Sequence, residues 1–266
     1  ILILQAPIIA FLICLIFPKI TSVVLFMITI SAIWLGTQNA VREVVTESSV
    51  FKRERMYNIS IMPYVFSKIC VLTLITLFQT VIFVSILAVF YSSNEISFNQ
   101  PFMLFLWMMF TSFVSIILGL CISSMVKTTE RGITILPLVL IPQILLAGVI
   151  TKINTGLVEF LSYFTISRWA NEGFHIILAK IKVDVPAEML SRSDWSFLKK
   201  EGVTKDLIPN YISSDSDSYL TQRYYKTYED LFSNSGTIEL DYIMLLIISV
   251  ILIIVTYNSI KAKDVI

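Results

Sequence analysis

The chain has 266 residues, of which 56% are hydrophobic and 15% are charged, and its mean hydropathy is +0.81. This balance lies outside the range of soluble globular domains and indicates an integral membrane protein. The formal net charge of +1 argues against a nucleic-acid partner, because phosphate binding needs a surplus of Lys and Arg on one face.

Six apolar runs are long enough, or nearly so, to cross the ~30 Å hydrocarbon layer, which takes roughly 20 helical residues. None of these runs contains Asp, Glu, Lys, Arg or His, which a water-filled pore or a proton relay ordinarily requires. The pattern predicts an all-α membrane protein with six transmembrane helices and weakens the channel and proton-coupled interpretations. The predicted spans are Ile1 to Phe17, Ile20 to Val41, Ile69 to Tyr91, Pro101 to Val126, Ile133 to Thr151 and Tyr242 to Ile260.

The first span begins at Ile1 without an initiating methionine or a charged segment, so it does not resemble a signal peptide, and we expect further sequence upstream. Lys and Arg follow spans 2, 4 and 6, which predicts that these connections and both termini are cytoplasmic. The predicted units are residues 1–41 (spans 1 and 2), 42–58 (a cytoplasmic helix), 59–151 (spans 3 to 5), 152–240 (re-entrant helices and an outer-face loop domain) and 241–266 (span 6 and a tail).

The stretch from Arg42 to Asn58 is the one densely charged segment of the first 126 residues. An orientation signal needs only Lys and Arg, whereas the carboxylates of Glu43, Glu47 and Glu54 suit a helix that docks on another protein. A solvated loop that carries topology charges is the open alternative.

Polar stripes mark two of the spans. In span 2, Ser31, Gln38 and Arg42 share one helical face, which must meet protein or a cavity. In span 4, four small residues recur at helical spacing and favour the close approach of another helix. These are Ser112, Ser115, Gly119 and Ser123.

Span 5 is interrupted by Pro137 and Pro142, which predicts a kink or a break. A transport path and a simple packing kink both fit. The stretch from Leu157 to Ile181 is apolar but carries Arg168, Glu172 and His175, so it predicts short amphipathic or re-entrant helices. His175, the single histidine, is interpreted as structural, since it has no His or Cys partner nearby in sequence.

Motifs for chemistry within the chain are not found: there is no GxxxxGK[ST] phosphate loop, no GxSxG elbow and no HExxH. Cys14, Cys70 and Cys121 lie in apolar runs without metal-ligand spacing and are expected to be small buried residues. No catalytic or metal-binding residue is therefore assigned, and any energy for work must come from a partner.

Four segments, in order, resemble the membrane domain of G-type (white and pleiotropic-drug-resistance-like) ABC exporters of the ABC-2 superfamily, in a bacterial-like form. They are Leu4 to Ala10 (LQAPIIA), Trp34 to Asn58, Pro63 to Lys68 (PYVFSK) and Phe164 to Ala170 (FTISRWA). In the last segment Ser167 stands where the family often has proline.

This resemblance implies a six-span, type V exporter-like domain that pairs with a second copy or a similar domain, as a homodimer or heterodimer, in a bacterial inner membrane. A nucleotide-binding domain, fused or separate, would hold ATP and Mg, and this chain would hold no cofactor. The expected substrate is hydrophobic or lipid-like, since an unpaired charge in an apolar cavity is costly. A membrane scaffold or assembly protein without transport activity is the alternative, and a secondary transporter is disfavoured because no titratable group lies at midspan.

The resemblance also implies three sets of site residues. The coupling residues, which would contact the nucleotide-binding domain, are Arg42, Glu43, Glu47, Phe51, Arg53, Glu54, Arg55 and Asn58. The cavity residues are Ala32, Leu35, Gln38, Asn39, Ile141, Ile144 and Leu145. The gate residues are Val149 and Ile150.

Overall fold

The structure is a computed structural model that describes residues 2–57, 60–91, 100–147, 156–177 and 238–264. All regular structure within these ranges is α-helical, as the sequence predicted. A helix satisfies every backbone donor and acceptor internally, which a bilayer demands of an apolar chain. The helices are α1 (Leu2–Ile16), α2 (Ser22–Ala40), α3 (Glu43–Arg55), α4 (Ile61–Tyr91), α5 (Gln100–Met125), α6 (Thr129–Leu145), α7 (Gly156–Ser162), α8 (Ile166–Ile177) and α9 (Ile238–Asp264).

Four helical stretches in the described part of the chain are long and apolar enough to cross a membrane. They are Val23–Phe51, Ile61–Tyr91, Pro101–Met125 and Ile238–Lys263. Two further apolar helices, α1 with 15 residues and α6 with 17, correspond to predicted spans 1 and 5 but are shorter than a full crossing. The count of six spans stays a prediction.

The helix ends agree with the sequence where the apolar run is clean and differ where a helix continues into polar sequence. The predicted span Pro101 to Val126 and the observed α5 agree to one residue at each end. In contrast, α4 begins at Ile61 rather than Ile69, because its first turns carry Tyr64 and Lys68, which a search for hydrocarbon-crossing residues leaves out. The last span likewise begins at Ile238 rather than Tyr242.

The centre of the fold is the contact between α2 and α5, which is the most extensive helix pair. Ser112 of α5 donates through Oγ to the main-chain oxygen of Ala32 in α2 over 3.2 Å. Gly119 of α5 faces Thr37, whose main-chain oxygen would lie only 2.7 Å from an added Cβ, and Gly36 of α2 is closer still to α5, at 2.5 Å. The close approach that the small residues of span 4 predicted is confirmed.

The remaining helices surround this pair. Helix α1 packs mainly on α4, α9 packs on α5 and α8, and α8 lies against α2, α5 and α9. Helix α6 is continuous from Thr129 to Leu145 through both prolines, so of the predicted kink or break the break does not occur. Its end is tied to α8, because the N–H of Ser167 donates to the Gln143 Oε1 over 3.0 Å.

Large apolar side chains cover the outer surfaces of α1, α4 and α9. In water such a surface would promote aggregation, whereas in a bilayer it faces lipid tails. Cys70 is exposed on α4, which corrects the expectation that all three cysteines are buried. Representative lipid-facing residues are Leu4, Phe11, Leu74, Phe78, Ile247 and Val250.

Candidate functional site

The charged segment after α2 forms the helix α3, which is docked along one side on the helical bundle. Val44 and Val45 are buried on this side. The N–H of Val45 donates to the Oγ of Ser123 in α5 over 3.0 Å, which uses the last small residue of the span 4 stripe. The segment is a packed helix rather than the solvated loop that the sequence left open.

Three of the predicted coupling residues face inward, toward α4. Lys68 Nζ lies 2.5 Å from Glu47 Oε1 and 3.3 Å from Glu43 Oε2. The ring of Phe51 packs on the ring of Tyr64, with their centroids 4.2 Å apart. These side chains hold α3 on α4.

Two other predicted coupling residues, Arg53 and Glu54, are exposed. Glu54 lies two turns after Glu47 on the same side of α3 and interacts electrostatically with Tyr64, so of the two only Arg53 belongs to the outer side. Thr46, Ser49 and Val50 share that side, at the spacing of one helical face. The predicted set therefore divides between the two sides of the helix. Of its other members, Arg42 and Arg55 are half-buried and Asn58 lies outside the described residues.

Sequence reasoning missed the two residues that follow α3. Met56 is 79% exposed and Tyr57 is 86% exposed, values that only Val89, also at 79%, matches among the exposed large apolar side chains of the described residues. Both belong to residue types that are enriched at protein interfaces. The sequence signal for Met56 and Tyr57 was a pair of large side chains directly after a charged helix, whereas the coupling residues were predicted mainly from charge.

The predicted cavity residues divide into a set that is buried within the chain and a set that is partly or fully exposed. Ala32, Leu35 and Asn39 are buried within the chain, and Asn39 Nδ2 donates to Gln79 Oε1 of α4 over 2.7 Å. Gln38 of α2 and Ile144 of α6 are half-buried, while Ile141 and Leu145 of α6 are exposed. The gate residues Val149 and Ile150 lie outside the described residues.

Helix α2 leaves one stripe partly uncovered by the rest of the chain. Its members follow at intervals of four, three, four and four residues, the spacing of a single helical face. Gln38 lies on this stripe, whereas Ser31, which the sequence placed beside it, is buried and donates through Oγ to the main-chain oxygen of Met27. The stripe consists of Val23, Met27, Ile30, Trp34 and Gln38.

A second polar site lies where α8 meets α9, and no part of it was among the predicted site residues. Arg168 and Glu172 of α8 and Asp241 of α9 are each buried to within 1% of complete burial. Arg168 donates through Nη1 to the Oγ of Ser162 over 2.8 Å, and its guanidinium lies 3.9 Å from the ring centroid of Tyr163. Helix α8 is short and amphipathic, as the sequence predicted, and its polar residues are nevertheless as buried as its apolar ones.

Asp241 is an ionisable group in the first turn of the last spanning helix, just before the apolar run from Tyr242 to Ile260. The helix includes Asp241 because α9 begins at Ile238, four residues earlier than predicted. Neither of its carboxylate oxygens has a hydrogen-bond partner among the described residues, and the carboxylate interacts electrostatically with Glu172 and Arg168. The cluster therefore contains two carboxylates and one guanidinium.

His175, also in α8, is buried, and its Nδ1 lies 2.8 Å from the main-chain oxygen of Asn171. Burial lowers the pKa of His175 from 6.5 to about 4, while the hydrogen bond to Asn171 opposes this shift. The ring is therefore neutral at pH 7, in accordance with its interpretation as a structural residue. In the described ranges, no group of three or more His, Cys, Asp or Glu residues is arranged to hold a metal ion.

Comparison with known proteins identifies sequences that are similar to this chain. A family model described as "ABC-2 type transporter" matches residues 2–179. The chain is also 26% identical, over 158 residues, to the ABC transporter ATP-binding/permease protein Rv1747 of Mycobacterium tuberculosis. That alignment covers 57% of this chain and 18% of the mycobacterial protein, so the chain spans less than a fifth of that relative's length.

Proposed function

The chain belongs to the ABC-2 type transporter family, and we propose that it exports a hydrophobic or lipid-like substrate by alternating access, driven by a nucleotide-binding domain. It is the membrane domain of an ABC transporter, with apolar helices typical of an integral membrane protein. The nucleotide-binding domain, fused or separate, would bind ATP and Mg. The mycobacterial relative, named as an ATP-binding/permease protein, supports such a partner.

The observation that carries the proposal is the two-sided character of α3. Its inner side is attached to α4 and α5, so a force applied to its outer side is transmitted to the bundle. The outer side exposes Arg53, and the exposed Met56 and Tyr57 follow the helix, a mixture of charge and apolar area suited to a protein contact. On this proposal Arg42 to Asn58 is the coupling segment and faces the cytoplasm.

A second copy of the chain, or a similar chain, would pair along the uncovered stripe of α2 and the exposed side of α6. Gln38, Ile141, Ile144 and Leu145 would border the cavity between the two halves. Ala32, Leu35 and Asn39, which are buried behind the stripe, would support it from within the chain. Val149 and Ile150 would form an apolar gate at the outer end.

The proposed substrate class follows from the chemistry of these surfaces. The cavity residues carry no charge, and an ion transferred there from water would lack a partner. With six spans, cytoplasmic termini and a place in a bacterial inner membrane, the domain would move an apolar molecule away from the cytoplasm.

The proposal is tested with the complete transporter in liposomes, by measuring ATP hydrolysis with and without a lipid-like substrate. Replacing Met56 and Tyr57 together by serine removes the exposed apolar contact, and Arg53→Ala with Glu54→Ala removes the charged one. Each double variant should lower substrate-stimulated hydrolysis by roughly tenfold, within the range that coupling between two sites spans. Phe11→Ala on the lipid-facing side of α1 is the matched control and should leave stimulation unchanged.

Stimulation that is equal to wild type in both double variants would show that the partner does not act through this surface. The scaffold alternative makes a different prediction, because a protein that only packs tolerates Gln38→Leu on the half-buried stripe. Gln143 does not discriminate between the two functions, since Gln143→Leu breaks the hydrogen bond to Ser167 and disturbs folding in either case.

A further inference from the structure

Two contacts one helical turn apart join α3 to α4. Glu43, Glu47 and Phe51 recur at intervals of four residues along the inner side of α3, and Tyr64 and Lys68 are four residues apart on α4. The aromatic pair and the ion pairs therefore lie in register along the two helices. We call these five residues the α3–α4 clamp.

Lys68 occupies the centre of the clamp. Its side chain is only 18% exposed, whereas those of its two partners are 38% and 43% exposed. An ion pair on an open surface contributes little, because water and salt screen it and two long side chains lose freedom. Here one largely buried ammonium bridges two carboxylates a turn apart, so the geometry fixes the orientation of α3.

The covalent connection from α3 into the membrane leads to α2 and not to α4. Helix α3 is joined to α2 by only two residues, Val41 and Arg42, so a displacement of α3 acts directly on α2. The contact with α4 adds a second, non-covalent route. Because α5 already contacts both α2 and α3, what the contact with α4 adds is a route to α1, which packs mainly on α4.

We propose that Lys68 is a positioning residue, which makes α3 and the first turns of α4 move as one rigid body during transport. This inference rests on the proposed function, in which a nucleotide-binding partner displaces α3. It assigns Glu43 and Glu47 to transmission within the chain and leaves contact with the partner to the opposite side of α3.

The first experiment measures the α3–α4 distance and does not depend on transport. Spin labels are placed on Ser49→Cys, exposed on α3, and on the native Cys70, exposed on α4, after Cys14 and Cys121 are replaced by alanine. The distance distribution should be narrow in the otherwise unaltered protein and clearly broader with Lys68→Met. An unchanged distribution with Lys68→Met would overturn the inference.

The second experiment measures coupling in the complete transporter. Lys68→Met should lower substrate-stimulated ATP hydrolysis by roughly tenfold while basal hydrolysis changes by less than about twofold. Lys68→Arg should retain stimulation, and Glu47→Lys should restore part of it to Lys68→Glu, neither of which a general loss of folding would produce. Lys127→Met, at an exposed lysine, is the matched control.

The outcomes separate this inference from the proposed function. A broad distance distribution with full stimulation in Lys68→Met would show that the clamp exists but does not position α3 for coupling. If wild type itself shows no substrate-stimulated hydrolysis, the proposed function fails, and the positioning role of Lys68 fails with it. If stimulation is lost through Met56 and Tyr57 but not through Lys68, only the inference fails.

Discussion

Gly36 offers a direct test of how closely α2 and α5 approach. A Cβ atom at this position would lie 2.5 Å from the main-chain oxygen of Ser112 and 2.7 Å from the Cβ of Ser115. Ordinary contacts begin at 3.4 Å, so the two helices would have to separate locally by about 0.9 Å. The nearest atom belongs to the backbone, and no side-chain rotation can relieve the overlap.

The expected loss of stability from Gly36→Ala is the difference between two effects. Overpacking a tight interior contact costs about 1–3 kcal/mol, and a backbone obstacle places this case near 3 kcal/mol. Alanine regains about 1 kcal/mol, because it is the better helix former. The net loss of about 2 kcal/mol corresponds to a fall in melting temperature of about 4–8 °C, measured by circular dichroism of the purified protein in detergent.

Two other glycines serve as controls for the same substitution. An added Cβ at Gly156 would have no atom within 4 Å, so Gly156→Ala should leave the melting temperature unchanged. At Gly132 the nearest atom would be the main-chain oxygen of Val41 at 3.3 Å, and an intermediate effect is expected. If Gly36→Ala and Gly156→Ala melted alike, the close contact between α2 and α5 would be refuted.

Two further predictions concern the buried cluster around α8. Arg168→Met leaves two buried carboxylates without their cation and should cost about 3–5 kcal/mol, whereas Asp241→Asn removes the surplus negative charge and should cost less than about 1 kcal/mol. Equal losses in melting temperature would contradict this charge count. His175 has a folded-state pKa of about 4, below its value of 6.5 in the unfolded chain, so its neutral ring stabilises the fold fully above pH 6.5. That stability is lost as the pH falls from 6.5 toward 4, by about 2 kcal/mol at pH 5. Wild type should therefore lose more stability than His175→Gln between about pH 7 and pH 5, and parallel melting curves would argue against a buried neutral ring.

The comparison of sequence and structure shows what a hydropathy pattern contains. The apolar run of α5 predicted its ends to one residue, because hydrophobic length measures the part of a helix that lies in hydrocarbon. For the same reason the pattern missed the first turns of α4, where Lys68 ends the apolar run but not the helix. The helix α3 was located by its charges, but Glu47 and Glu54 are of the same type and lie on the same side of it. Only the position of Lys68 on another helix shows that Glu47 forms an ion pair with α4.

The buried cluster of Arg168, Glu172 and Asp241 was missed for a related reason. Arg168 and Asp241 are separated by more than 70 positions, and no local pattern joins them. The available signal was the presence of single charged residues in apolar surroundings, which are costly in a membrane and therefore usually paired. If every such charge is assumed to be paired, Arg168, Glu172 and Asp241 become candidates for one buried cluster.

The length of α4 determines how far α3 lies from the membrane surface. Its 31 residues extend about 46 Å, whereas the hydrocarbon layer is ~30 Å thick. About ten residues of this helix must therefore project beyond the bilayer. Tyr64 and Lys68 lie in the first turns of α4, at the end of the helix that contacts α3. Because the projection is a rigid helix rather than a loop, a bilayer of different thickness or a tilt of α4 changes the distance between α3 and the membrane surface.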